Sequence, residues 1–262
     1  MTFTQHVAEQ QKLYPEAKGE LTGLLTELMI AAKIISSSVR QAGLADVLGL
    51  TGKVNVQGEK VKILDEFANK TIIHNVRHTG HLCAMASEEM EKAIPVPDGY
   101  PRGRYILYFD PLDGSSNIEA NASIGTIFSI QRKQSPGSQL GEEDLCQTGR
   151  GQVVAGYVIY GSSTILVYTA GRGVHGFTLD PQCGEFLLSH PNLRIPEEGA
   201  VYSVNEGNTS RWDATTRRLV DAFKGSDNPA GRPYTARYIG SLVADAHRNL
   251  LYGGIFLYPA DK

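Results

Sequence analysis

The chain has 262 residues, 41% hydrophobic and 20% charged, with 25 Lys+Arg against 28 Asp+Glu and a formal net charge of −3. That length supports one large domain or two modest ones with real cores, and the mixture excludes disorder, collagen and coiled coil. A pI of 6.2 leaves no electrostatic footprint for nucleic acid or an anionic membrane.

Residues 1–10 lack the basic and apolar regions of a signal peptide. The first periodic segment is 19–43, where Leu21, Leu24, Leu25, Leu28, Ala32, Ile35 and Val39 recur at three- and four-residue spacing. That stripe predicts a helix buried on one face, with Gly43 as its left-handed C-cap. A second helix is predicted over 61–78, burying Leu64, Phe67, Ala68 and Ile72. Two helices therefore precede any convincing strand. The segment 105–109 is wholly apolar and aromatic-rich, the pattern of a strand covered on both faces. Further strands are predicted at 125–132, 153–160 and 163–169, punctuated by Gly, Ser and Pro. Residues 135–151 read as an exposed loop. A hairpin is predicted from 173–179 and 184–188 around Asp180-Pro-Gln-Cys-Gly184.

The polar stretch opening at His190-Pro-Asn192 marks a domain boundary, giving domains 1–192 and 193–262. Beyond it come a strand at 201–205, helices at 214–223 and 241–251, and a strand at 254–258. Helices, then many strands, then mixed elements predict an α/β fold of the layered α+β kind, not a regular βαβ alternation. The three cysteines, Cys83, Cys146 and Cys183, share no CxxC spacing and read as reduced thiols. No apolar run approaches the roughly 20 residues that span a bilayer. These features together predict a cytoplasmic protein.

The chemistry concentrates in Asp110-Pro-Leu-Asp-Gly-Ser-Ser-Asn117. A buried strand ends in Asp110, Pro111 is expected to halt its ladder, and Asp113 follows on a turn. Gly114 permits close backbone approach, so the amides of Gly114, Ser115 and Ser116 can face an anion. Paired carboxylates suit a hard divalent cation, Mg²⁺ before others. Cation and anion cradle together are what phosphoryl transfer to water requires. Ser87-Glu-Glu89 follows the apolar run 82–86, where a ligand would be held rigidly. Asp65 lies beside Glu66 on its helix, and one of the two is expected to be exposed. Such a gathering of acids repels itself without a cation. Against this stands the plain reading of Asp-Pro-Leu-Asp-Gly as a well-made turn.

From Gly19 to Lys262 the chain resembles class I fructose-1,6-bisphosphatases of the bacterial type. The resemblance rests on Gly19-Glu-Leu-Thr22, Asn55-Val-Gln-Gly58, Leu64-Asp65, Ser87-Glu-Glu89 and Asp110-Pro-Leu-Asp-Gly-Ser-Ser-Asn117. It continues through Gly125-Thr-Ile-Phe128, Ala155-Gly-Tyr157, Tyr160-Gly-Ser-Ser163, Asn205-Glu-Gly207, Ala236-Arg-Tyr-Ile-Gly-Ser241 and Gly253-Gly-Ile-Phe-Leu-Tyr-Pro259. Asp-Pro-Leu-Asp-Gly alone also fits the wider group that includes inositol monophosphatases.

The resemblance implies a sugar-phosphatase fold of alternating helix and sheet layers. It implies hydrolysis of the 1-phosphate of fructose 1,6-bisphosphate, in carbohydrate metabolism including gluconeogenesis. By match of motif, Glu88, Glu89, Asp110, Asp113 and the Leu112 carbonyl would hold Mg²⁺, with Mn²⁺ or Zn²⁺ as alternatives. Asp65 and Glu89 would take the proton from the attacking water, and Glu59 matches an acidic residue of a closing loop. The transferred phosphate would lie on Asp113, Gly114, Ser115 and Ser116. Asn205, Tyr238 and Tyr258 match the residues that hold the 6-phosphate, and Arg237 the arginine lent by a neighbouring subunit of a homotetramer. Read without the family, these four are a turn residue, two core aromatics and a surface charge. An inhibitory AMP site would use Gly19, Glu20, Leu21, Thr22, Arg104, Tyr105 and Arg132, with Lys18 where the family usually has threonine.

The sequence ends soon after the Tyr-Pro block, where the family continues with a lysine for the 6-phosphate and a metal-binding glutamate. The alternatives are a sedoheptulose-1,7-bisphosphatase, an inositol-monophosphatase-like enzyme, and a non-catalytic sugar-phosphate-binding fragment.

Overall fold

The structure is a computed structural model that describes residues 1–41, 50–54, 60–137 and 140–260, with the backbone course alone at 50–54 and 60–62. The chain divides into two compact units, Met1–Asn192 and Leu193–Lys262.

The first unit opens with α1 (Phe3–Gln11), an element the sequence reading did not foresee. Its signal is a capping box: the Thr2 hydroxyl accepts from the Gln5 amide while the Gln5 side chain accepts from the Thr2 amide. Phe3 then meets Tyr168 and Phe177 edge-on, at ring separations of 5.2 and 5.3 Å. α2 (Glu20–Arg40) buries Leu24, Leu25, Leu28, Ala32 and Ile35, with Leu21 and Val39 packed at its margins. Its C-cap is Gln41; Gly43 lies outside the described residues. α2 is 21 residues long and apolar enough to cross a membrane by length and composition. That corrects the expectation that no such run exists, although its apolar face is spent on the core.

The backbone pair β1 (Leu50–Val54) and β2 (Lys60–Lys62) stands before α3 (Ile63–Val76), so strands precede the helix predicted at 61–78. Then come β3 (Leu82–Ser87), β4 (Ile94–Pro95), β5 (Tyr105–Asp113), β6 (Ile124–Arg132), the short α4 (Glu142–Leu145), β7 (Gln152–Tyr160), β8 (Thr164–Thr169), β9 (Val174–Asp180) and β10 (Glu185–Leu193). One eight-stranded sheet runs in the order β10-β9-β8-β7-β6-β5-β3-β4. β3 pairs parallel with β5, and β5 to β9 pair antiparallel in turn. α1, α2 and α3 cover one face and share its main core with Tyr105, Leu107 and Phe109.

The other face of β5 carries Ile106, which packs with Cys83, Ala84 and the partly buried Tyr108, Leu140 and Leu145. This corrects the exposed-loop reading of 135–151. Apolar Leu140 and Leu145 seat that segment on the sheet, and it contains α4 and a fully buried Asp144.

The second unit holds a three-stranded parallel sheet, β12-β11-β13, made of β11 (Val201–Ser203), β12 (Thr235–Ala236) and β13 (Ile255–Phe256). Its core joins Tyr202, Val204, Trp212 and Val220. α5 (Ala214–Lys224) is capped by Asp213, which accepts from the Thr216 amide at 2.7 Å. α6 (Leu242–Tyr252) is capped by Ser241, which accepts from Ala244. Both strands predicted here are shorter than expected, and β12 was not predicted.

Candidate active site

Pro111 does not halt β5. The strand runs on to Asp113 with a register irregularity: Asp110 pairs with Ile127 and Asp113 with Gly125, three steps against two. A bulge of this kind absorbs a proline that cannot donate to the ladder and re-aims the side chains around it. Two further groups fix it. The Thr126 hydroxyl donates to the Pro111 carbonyl at 2.8 Å, and Thr126 in turn meets the Tyr160 hydroxyl at 2.9 Å. Burial pushes the Tyr160 phenol up, so it stays a neutral hydrogen-bonding group. Beyond Asp113, Gly114 sits at φ 77°, the left-handed region glycine tolerates best, and opens a single 3-10 turn, Ser115–Asn117. The turn's first backbone bonds are made by Asn117 and Ile118, which leaves the amides of Gly114, Ser115 and Ser116 at its open end.

Parallel pairing sets Ser87 of β3 beside Phe109, and the Glu88 amide donates to the Phe109 carbonyl at 3.0 Å. Glu88 thus lines an open groove with Ser87, Tyr108 and Asp110. The Ser87 hydroxyl donates to Asn69 of α3 at 2.8 Å and accepts from the Glu89 amide at 3.3 Å. Asn69 lies one helical turn beyond Asp65, and both are buried. Glu66 points away, pairing with Lys70 at 2.7 Å, so Asp65 is the inward acid of that pair. Sequence reasoning missed Asn69, Thr126 and Tyr160 as supports. The i, i+4 spacing from Asp65 and the two strand motifs are the signals that carry them.

The electrostatics follow from this crowding. Burial, then Asp113, then Asp65 and Glu89, push the Asp110 carboxyl up to about 7, against one opposing hydrogen bond from the Leu112 amide at 3.0 Å. The Glu89 Oε2 atom is buried with no hydrogen-bond partner. Among the described residues, no three His, Cys, Asp or Glu side chains converge closely enough to hold a metal ion as they stand. The acids are neighbours around the β5 bulge, and their chemistry fits a hard divalent cation: oxygen donors alone, an orphaned carboxylate oxygen, and mutual repulsion that a cation relieves. Glu59 lies outside the described residues.

A second feature of the first unit is a cavity of about 410 Å³ between α1, the start of α2 and the sheet. Gly19, Glu20, Leu21, Thr22, Arg104, Tyr105 and Arg132 all line it, as does Lys18. Gly19 is the N-cap of α2 at φ 83° and offers no side-chain cap, so the helix presents its first amides uncapped by a side chain. The Arg104 Nε donates to Glu20 at 2.8 Å, and the Arg104 and Arg132 guanidiniums lie 5.5 and 5.8 Å from the Tyr105 ring centre.

In the second unit Asn205 is exposed and opens a 3-10 turn, its side chain accepting from the Gly207 amide at 3.1 Å. Tyr238 is 41% and Tyr258 85% exposed, which rules out core roles for them. Burial first, then Tyr258, then Asp245, push the Tyr238 phenol up, so the two tyrosines are within electrostatic reach of each other. Arg237, next to Tyr238 in sequence, is exposed as well.

Comparison with known proteins gives one consistent result. Residues 1–191 match the family model "Fructose-1-6-bisphosphatase, N-terminal domain", and residues 195–262 match "Fructose-1-6-bisphosphatase, C-terminal domain". The class 1 fructose-1,6-bisphosphatase of Maridesulfovibrio salexigens is 58% identical over 262 residues, covering all of this chain and 78% of the relative. That of Chlorobaculum parvum is 55% identical with the same coverage. The crystal structure of Leishmania major fructose-1,6-bisphosphatase in holo form superposes with a TM-score of 0.91 at 40% identity, covering 100% of this chain and 79% of that one.

Proposed function

The chain belongs to the fructose-1,6-bisphosphatase family, and from that premise we propose that it hydrolyses fructose 1,6-bisphosphate to fructose 6-phosphate and phosphate with Mg²⁺ as its cation. The observation that carries the reading is the gathering of Asp113, Asp65 and Glu89 within electrostatic reach of Asp110, on a bulged strand that runs straight into the Gly114 turn. Neither a sedoheptulose bisphosphatase nor an inositol monophosphatase is favoured by relatives that carry the fructose-1,6-bisphosphatase name over the full chain.

Glu88, Glu89, Asp110 and Asp113, with the Leu112 carbonyl, would hold the cation. When bound, a divalent cation neutralises phosphate charge and lowers the pKa of a water. Asp65 and Glu89 receive the proton of the attacking water, a role suited to acids held on α3 and after β3 by the Asn69–Ser87 link. The amides of Gly114, Ser115 and Ser116 orient the 1-phosphate oxygens. Asn205, Tyr238 and Tyr258 hold the 6-phosphate, with Arg237 lent across a homotetramer; their exposure supports this. The cavity at the α2 start takes AMP, its phosphate on the α2 amides and its ring near Tyr105; Lys18, Arg104 and Arg132 in a largely apolar lining support that placement. Three free cysteines support a reducing, cytoplasmic setting.

The test is phosphate release from fructose 1,6-bisphosphate with and without Mg²⁺, beside sedoheptulose 1,7-bisphosphate and inositol phosphate. Mg²⁺-dependent release from the fructose ester is expected, and Asp110→Asn should lower it about 100-fold or more, since charge stabilisation of several kcal/mol is removed. Metal-independent release, or preference for inositol phosphate, overturns the reading.

A further inference from the structure

The second unit contains a charged pair that serves neither its core nor its surface. Asp245, in the first turn of α6, is fully buried, and the Arg248 side chain one turn later is 20% exposed. Arg248 Nη2 donates to Asp245 Oδ1 at 2.5 Å and to the Arg237 carbonyl at 2.7 Å. Asp245 Oδ2 accepts from the Ile239 amide at 3.1 Å. The carbonyl before Tyr238 and the amide after it are therefore both gripped by one ion pair. Upstream, the Arg237 amide donates to the Tyr202 carbonyl of β11 at 2.9 Å. Downstream, Gly240 at φ 81° turns the chain into the Ser241 cap of α6.

Burying such a pair costs desolvation that a hydrophobic pair of the same volume would avoid. Nor is Arg248 satisfied for its own sake, because its Nε is buried without a hydrogen-bond partner. What the pair contributes that apolar residues could not is fixed backbone on both sides of Tyr238, whose side chain and that of Arg237 face outward.

We propose that Asp245 and Arg248 are positioning residues that lock the Arg237–Tyr238–Ile239 backbone, so that Tyr238 is preset for the second phosphate of the substrate in its own subunit and Arg237 for that of the neighbouring one. This rests on the assignment of Arg237 and Tyr238 to those phosphates. Preorganisation of this kind lowers the ordering cost of binding without touching the reacting atoms.

The experiment compares Arg248→Met, Arg248→Lys and Tyr238→Phe, each assayed on fructose 1,6-bisphosphate and on fructose 1-phosphate, which lacks the second phosphate. Arg248→Met should raise KM for the bisphosphate about tenfold, leave kcat within about twofold, and leave kcat/KM for fructose 1-phosphate within about twofold. Arg248→Lys, which keeps a cation and donor, should recover most of the loss. A purely structural role would lower activity on both substrates together, which overturns the proposal. A rise in KM for Tyr238→Phe with none for Arg248→Met also overturns it. If Tyr238→Phe leaves KM unchanged, the phosphate assignment fails and the clamp with it. Should Arg248→Met not fold, Asp245→Asn decides. Its amide cannot accept from both Arg248 and Ile239, so bisphosphate KM should rise about threefold with fructose 1-phosphate unaffected; an unchanged KM overturns the proposal.

Discussion

Replacing Asp144 by asparagine tests whether the segment after β6 is anchored as described. The Asp144 Oδ1 atom accepts from the Gln134 and Ser135 amides at 2.7 and 2.8 Å. Oδ2 accepts from the Ser135 hydroxyl at 2.6 Å and the Gly141 amide at 2.9 Å, and faces Lys133 Nζ at 3.5 Å. An asparagine keeps one acceptor and turns an NH₂ toward the Gly141 amide and the Lys133 ammonium, donor against donor. Two charge-assisted bonds are lost, and Lys133, whose side chain is only 7% exposed, keeps its bond to the Ser135 carbonyl at 2.8 Å but loses its anion, a cost of about 4 kcal/mol. For a chain of this size that corresponds to a fall in Tm of about 10 °C, read by thermal unfolding at pH 7. Burial by itself would push this carboxyl up; the Ser135 hydroxyl and the Ser135, Gly141 and Gln134 amides override it and hold the group well below the usual carboxylate range. A depressed native pKa stabilises fully above the unfolded value near pH 4 and is lost as pH falls toward the native one. The wild-type and variant curves should therefore converge in acid. A fall smaller than about 3 °C at pH 7, or a gap that widens in acid, would refute the reasoning.

Gly156→Ala should lower stability by about 1–3 kcal/mol, because its Cβ would stand 2.6 Å from the Phe128 ring and 2.7 Å from the Val167 carbonyl in the middle of the sheet; denaturant unfolding measures it. Arg132→Ala should raise the AMP concentration for half-inhibition about tenfold through loss of one charged contact, measured by phosphate release at fixed substrate. Unchanged inhibition would remove AMP from the cavity.

Much of the site was legible because its ingredients are local. Asp110-Pro-Leu-Asp-Gly carries two acids and a glycine turn within five residues, and the α2 stripe repeats at the helical period whatever packs on it. The same locality hid other parts. α1 has weak periodicity, and its capping box is its plainest mark. Of Asp65 and Glu66, neighbours on one helix, only packing against β3 and β5 distinguishes the buried acid from the one that pairs with Lys70.

What the sequence determined by itself was the identity and order of the elements that short-range sterics and periodicity dictate: the long helices, the sheet strands, the acid turn and the family they mark. What only the tertiary structure decided depends on partners far away in the chain. Pro111 stays within a strand because Thr126 and Gly125 of β6 accommodate the bulge. A polar segment is seated on the sheet because Leu140 and Leu145 find Ile106. Asp245 becomes a clamp because the 237–239 backbone folds back over α6. In each case burial and hydrogen bonding are properties of a meeting between segments, and neither segment alone contains that information.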